Sequence, residues 1–136
     1  MKFTCILVTL ALVGQLSAQA IVHYKNSNGT ESPNVGQLTD ASTASTAPAG
    51  SAADDVYQAS VGTCKGSYAD ANTASNAAYN TSIAAAAPLN VSGNGSDLAY
   101  KAAVATAVAV YNNAFGTTVT VYNNCINAAA AVANSS

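Results

Sequence analysis

The stretch "YNNAFGTTVTVYNN", residues 111–124, decides the fold because it supports two opposite interpretations. "TVTVY" alternates as a strand does, whereas the triplet Tyr-Asn-Asn recurs after eleven residues. In a strand, an odd spacing places successive tyrosines on opposite faces. In an α-helix, eleven residues complete about three turns, so the tyrosines share one face. The spacing therefore favours a helix, and a local β-hairpin across residues 107–122 stays the alternative.

Six tyrosines carry this spacing along the chain, in two sets of three: Tyr57, Tyr68, Tyr79 and Tyr100, Tyr111, Tyr122. Apolar side chains stand four residues after five of them: Val61, Ile83, Val104, Phe115 and Ile126. Asn72 takes that place after Tyr68 and interrupts the stripe. A stripe of this period, backed by polar positions, is typical of an amphipathic helix. We predict an all-α fold of two helices, each made of three 11-residue units that meet along this stripe.

The chain divides into three segments. Residues 1–20 combine Lys2, the apolar run "FTCILVTLALVG" and the cleavage pattern Ala18-Gln19-Ala20, which together predict a secretory signal peptide. Residues 21–50 are rich in Ser, Thr, Ala and Pro, and we expect a disordered leader there. Residues 51–134 form the predicted hairpin, with helices at about 52–87 and 97–133 and a turn at 88–96 that holds Pro88, Gly93 and Gly95. Gly116 and the Thr/Val run after it predict fraying or a bend in the second helix.

Two cysteines, Cys64 and Cys125, remain once Cys5 has left with the signal peptide. An even number in an oxidising compartment predicts one disulfide bond, the alternative being two free buried thiols. Residues at one level of an antiparallel hairpin have a constant sum of residue numbers. The cysteine numbers add to 189, and the pairs Tyr68–Tyr122 and Tyr79–Tyr111 add to 190. One register therefore serves the disulfide, the tyrosines and the turn, whereas pairing Tyr57 with Tyr122 would move the cysteines several turns apart.

Charge and motifs exclude several classes of function. After residue 20 the chain has three lysines, no arginine, one glutamate and five aspartates, which rules out a basic patch for nucleic acid or anionic membranes. His23 is the only histidine, and no Ser/His/Asp, Cys/His or zinc-ligand pattern forms around it. We therefore predict no catalytic residues, no metal, no cofactor and no enzymatic activity. Five sequons mark candidate N-glycosylation sites: Asn28, Asn80, Asn90, Asn94 and Asn134.

Two stretches, "VYQASVGTCKGSYADANTASNAAY" and "VYNNCINAAAAVA", resemble the insect secreted alanine-rich helical proteins grouped with the tsetse midgut EP-type domain. The similarity spans about residues 55–133 and rests on tyrosine and cysteine spacing within alanine-rich helices. It implies an extracellular protein of the gut lumen, seminal fluid or mating plug. The group has no established catalytic residues to transfer.

These features predict a secreted, non-enzymatic structural or interaction protein. Because alanine buries little area, the core is thin, and Val56, Val110 and Val121 extend the apolar surface sideways. We expect pairing with another copy into a four-helix bundle, or binding to another secreted protein whose groove those valines fill. One alternative is a carrier of a small apolar ligand lined by Tyr68, Tyr79, Tyr111, Ile83 and Phe115. A less favoured one is ice binding by a threonine row that includes Thr106 and Thr117.

Overall fold

A computed structural model describes residues 22–34 and 37–136 of the chain. Most of these residues are helical, and the elements in chain order are strands β1 (Val22–Lys25) and β2 (Glu31–Asn34), a short helix α1 (Ala41–Ala44), the long helix α2 (Ala52–Ala86), a 3-10 turn (Ala87–Leu89) and the long helix α3 (Leu98–Asn134). The predicted signal peptide, residues 1–20, lies outside the described residues.

The two long helices form an antiparallel hairpin, as the tyrosine spacing predicts. Helix α3 continues without a break through "GTTVTV", so neither the alternative β-hairpin nor the expected fraying is found. Each threonine of that segment donates its hydroxyl to the carbonyl four residues earlier, as Thr118 does to Ala114 at 2.9 Å. Thr118 and Val119 are also buried against the rest of the fold. Tertiary packing thus outweighs the low helix propensity of this segment.

The register of the hairpin is the predicted one. Cys64 and Cys125 form a disulfide bond with their Cα atoms 5.8 Å apart. The ring centroids of Tyr68 and Tyr122 lie 5.3 Å apart, and those of Tyr79 and Tyr111 lie 5.6 Å apart. The alternative register, which pairs Tyr57 with Tyr122 at one level, is therefore excluded. The pairs Tyr68–Tyr122 and Tyr79–Tyr111 are confirmed.

A side-chain cap marks the start of α2, whereas α3 begins after Asp97 without a side-chain capping bond. The Ser51 hydroxyl accepts a hydrogen bond from the Asp54 amide at 3.1 Å, which satisfies one free N–H of the first turn of α2. The Asp54 carboxylate accepts a hydrogen bond from the Gly50 amide at 2.9 Å, so Ser51 and Asp54 do not form a reciprocal capping box. Before α3, the Asp97 carboxylate accepts hydrogen bonds from the amide and hydroxyl of Ser92, which folds the turn back onto the helix start.

The disordered leader predicted for residues 21–50 is wrong for the residues described there. Strands β1 and β2 pair antiparallel, with Tyr24 opposite Ser32. The all-α prediction is therefore incomplete, because it omits this two-stranded sheet. Further along, Leu38 and helix α1 pack against the hairpin core. We call residues 22–34 and 37–50 the N-terminal arm. Its composition offers little apolar area. The Tyr57 hydroxyl of α2 donates a hydrogen bond to the Ala41 carbonyl at 2.6 Å, and asparagine side chains of α3, described below, supply most of the other bonds that hold the arm.

Candidate functional site

The predicted helix-interface residues fall into two groups by exposure. Six are buried: Tyr57, Tyr111, Tyr122, Val61, Phe115 and Ile126. Five are half-buried: Tyr68, Tyr79, Tyr100, Ile83 and Val104. Asn72, which interrupts the apolar stripe in the sequence, places its side-chain oxygen in a buried position without a hydrogen-bond partner. Such an atom destabilises the fold by the cost of its desolvation, about 1–3 kcal/mol.

The aromatic rings of this interface pack against one another. Phe115 stacks on Tyr111 at 5.6 Å and meets the edge of Tyr24 from the arm at 5.8 Å. On the other side it contacts Tyr68 at 6.5 Å. Burial raises the pKa of the Tyr111 phenol, and the charge of Glu31 acts in the same direction. Burial also raises the pKa of Tyr122, so both phenols stay neutral well above neutral pH.

Lys25 joins the arm to this aromatic cluster. Its ammonium lies 4.5 Å from the ring centroid of Tyr79 and 4.8 Å from that of Tyr111, which are cation–π distances. Glu31 supplies a carboxylate 3.8 Å away. The lysine side chain is only 11% exposed, so its stem covers ring surface that would otherwise meet water. The positive charge of Lys25 thus interacts with two tyrosine rings and with Glu31 inside the fold.

Three asparagines of α3 hold the arm by its main chain, and we call Asn112, Asn123 and Asn134 the asparagine row. Each amide oxygen accepts an arm N–H while each amide nitrogen donates to an arm carbonyl. Asn112 pairs with the N–H and the carbonyl of Lys25 at 3.0 and 2.9 Å. Asn123 accepts from Thr39 at 2.7 Å and donates to Gln37 at 3.1 Å.

Asn134 repeats this arrangement at the end of α3. Its oxygen accepts from the Thr46 amide at 2.7 Å, and its nitrogen donates to the Ala44 carbonyl at 3.3 Å. The three asparagines are eleven residues apart, so each stands one residue beyond the tyrosine column. The polar column was visible in the sequence, but no sequence signal links it to the arm, because the bonds are to main chain. As a sequon, Asn134 would carry a glycan on the nitrogen that binds Ala44.

We expect Asn123→Ala to loosen the arm. The change removes two hydrogen bonds to main chain and leaves the Thr39 amide without its partner, a loss of about 1–3 kcal/mol in docking free energy. Hydrogen exchange of the Thr39 amide should then accelerate roughly tenfold to a hundredfold. The exposed neighbour Asn124→Ala is the matched control and should leave that rate unchanged. Equal exchange in both variants would mean that the row does not hold the arm.

The part of the chain that the structure describes leaves the opposite side of the hairpin exposed. Val110, Val121 and Val132 are also eleven residues apart on α3, and we call them the valine row. They precede the asparagine row by two residues, a rotation of about 200° around the helix. Each is more than half exposed, at 59%, 56% and 59%. Val56 on α2, one residue before Tyr57 and 56% exposed, belongs to the same side, which we call the open face.

Two clefts lie on the open face between the helices. The larger, of about 250 Å³, is beside the disulfide and is lined by Ser67, Tyr68 and Ala71 of α2 and Val121 and Tyr122 of α3, among others. The smaller, of about 30 Å³, lies between Ser75 and Ala78 of α2 and Val110 and Tyr111 of α3. Small side chains on α2 thus form a shallow trough beside a ridge of valines.

Charges and sequons lie away from the open face. Of the residues described as lining the two clefts, none is charged. Asn28 lies in the turn between the strands, and Asn90 and Asn94 lie in the turn between the long helices. Asn80 is two residues beyond Ala78 and so lies on the far side of α2, and Asn134 is part of the asparagine row. Any glycan on these asparagines would leave the open face uncovered.

Reactive chemistry is sparse where the structure describes the chain. Within residues 22–34 and 37–136, no three His, Cys, Asp or Glu side chains come together as metal ligands. No helix in that part of the chain is both long and apolar enough to cross a bilayer. Asp54 lies at the start of α2, where its carboxylate interacts favourably with the positive end of the helix dipole.

Comparison with protein-family models, with curated proteins and with solved structures gives no match for this chain.

Proposed function

We propose that this chain is a secreted, non-enzymatic protein that works by self-association as a structural or interaction component of an extracellular fluid. The single observation that carries the proposal is the open face, where three regularly spaced valines of α3 are more than half exposed. A scattered exposed valine needs no explanation, but an aligned row beside uncharged clefts is typical of an association surface.

Secretion fits the chemistry of the hairpin. The Cys64–Cys125 bond is of a kind that persists in oxidising compartments. The signal-peptide pattern of residues 1–20 and the five sequons support the same compartment. Within this proposal, the 11-residue units supply straight helices whose tyrosine columns fill the interior while their valine column is left for a partner.

Analytical ultracentrifugation of the chain collected from the medium of secreting cells tests this function. We expect the sedimentation coefficient to rise with protein concentration across the micromolar range. A monomer at every concentration would remove self-association. Failure of the chain to reach the medium would remove secretion.

A second candidate, a carrier of a small apolar ligand, is favoured by the 250 Å³ cleft beside the disulfide. Ligand sites of carriers are larger, about 300–1,000 Å³, and enclose most of the ligand. Of the five residues expected to line a ligand site, only Tyr68 lines this cleft, and Tyr111 and Phe115 stack on each other. Native mass spectrometry of the secreted protein should therefore find no bound small molecule, and a stoichiometric adduct would favour the carrier.

Ice binding is the least supported candidate. Thr106 and Thr117 are exposed, but their hydroxyls donate to the carbonyls of Ala102 and Asn113 on the same helix, both at 3.0 Å. The column continues as Ala128, so it does not form a regular threonine array. Ice crystals grown in the protein should keep their ordinary shape.

A further inference from the structure

The open face is long enough and wide enough to form a dimer interface. From Val110 to Val132 the helix rises by about 33 Å, and two helices side by side are about 20 Å wide. A patch of that size would bury roughly 650 Å² on each copy, or about 1,300 Å² in total. Stable specific interfaces begin at about 1,200 Å². The area therefore suits a partner that covers the whole face.

The shape of the open face is complementary to the same face of a second copy. On α3 the valine row forms a ridge. On α2 the clefts are lined by Cys64, Tyr68 and Tyr79 and by five small residues, namely Ser67, Ala71, Ser75, Ala78 and Ser82. A ridge packs best into a groove of the facing helix. Valine against valine would place two ridges in contact and leave the troughs empty, whereas Val110 and Val121 against the serine and alanine trough of the other copy fill both.

Resting on the proposed self-association, we propose that the open face binds the open face of a second copy, with each α3 lying over the α2 of its partner. A two-fold axis parallel to the helices produces this arrangement, and it brings both interhelical turns to the same end. Every neighbouring helix in the resulting four-helix bundle is then antiparallel, so the helix dipoles attract. The arms and all five sequons remain outside the bundle contact.

Electrostatics is consistent with the same partner. The clefts are lined by uncharged residues, and the side chains that approach them from both helices are Ser, Thr, Ala, Val, Tyr and the disulfide. A charged partner would gain nothing there, and a partner with an unmatched charge would lose its hydration. A second copy of the same uncharged face avoids that cost.

Substitution of the valine row tests the face. In the full-length chain, Val110→Ser, Val121→Ser and Val132→Ser together should weaken self-association at least roughly a hundredfold, because six apolar side chains per dimer are lost. Serine and valine have similar helix propensity, so the helix is retained. The control carries Val91→Ser and Leu98→Ser, which are 86% and 84% exposed and lie near the turn, and it should associate like the parent chain.

Each outcome of this experiment decides something different. Undiminished association of the serine variant would overturn the choice of face and leave the proposed function standing. A parent chain that is monomeric at all concentrations would overturn both. Loss of association in the serine variant but not in the control supports the interface.

The orientation is tested without touching the valines. A spin label on Leu98→Cys, at the turn end of α3, reports the distance between copies by pulsed electron paramagnetic resonance. Turns at the same end predict a distance below about 35 Å, set by the width of a four-helix bundle. Helices of 37 residues would separate labels at opposite ends by more than about 50 Å, which would overturn the proposed arrangement.

Discussion

Replacing both Cys64 and Cys125 by alanine is expected to lower the free energy of unfolding by about 4 kcal/mol. The bond links residues 61 positions apart, so it removes a large share of the conformational entropy of the unfolded chain. The loss matters here because the core is made of a few tyrosines and aliphatic residues among many alanines. Urea denaturation followed by circular dichroism, compared between the parent chain and the double variant, measures it.

The matched control for this experiment is the double variant Thr63→Ala and Asn124→Ala. Both residues are exposed neighbours of the cysteines, and the Thr63 hydroxyl binds only its own helix, at Ala59. The control should unfold within about 0.5 kcal/mol of the parent chain. If the cysteine variant matches the control, the cross-link does not stabilise the hairpin.

Phe115→Ala is expected to lower the free energy of unfolding by about 3–5 kcal/mol. The ring is 7% exposed and contacts three tyrosines, one from each long helix and one from the arm. Its removal leaves a cavity where α2, α3 and the arm meet, and none of these backbones can collapse without moving the others. Hydrogen exchange should also show faster opening of β1, because Tyr24 loses its packing partner.

Phe115→Leu separates the effect of volume from the effect of the ring. Leucine keeps most of the buried volume, so we expect a loss clearly smaller than that of alanine. Val91→Ala, at an 86% exposed site, should change stability by less than about 0.5 kcal/mol. A loss below about 1 kcal/mol for Phe115→Ala would contradict the position of this ring at the junction.

The hairpin could be predicted from the sequence because its determinants are periodic. The pairs Tyr68–Tyr122 and Tyr79–Tyr111 have the same sum of residue numbers, and the pair Cys64–Cys125 matches that sum within one. Such agreement between independent residue types identifies a register even where local propensity disagrees. The fraying expected after Gly116 is wrong because burial of Thr118 and Val119 outweighs the weak helix propensity of that stretch.

The arm could not be predicted from its own sequence, because most of the side chains that bind it lie far along the chain, in α3. Gln37, Thr39 and Thr46 contribute main-chain groups, which any residue except proline supplies in full. The specific partners are Asn123 and Asn134, more than 80 residues later, where they look like ordinary solvent-facing positions or, for Asn134, a sequon. The open face was partly visible, since Val56, Val110 and Val121 were expected to extend the apolar surface.

Methyl NMR in the presence of a soluble paramagnetic probe tests the central claim, that one face of this hairpin is closed by its own arm while the other is kept for a second copy. At low protein concentration the valine-row methyls should broaden strongly, while the methyls of Ile126, which is fully buried, stay sharp. At high concentration the valine-row methyls should become protected, and the exposed Val91 should stay broadened. Valine-row methyls that are equally accessible at both concentrations, or an Ile126 that the probe reaches at either, would contradict the account.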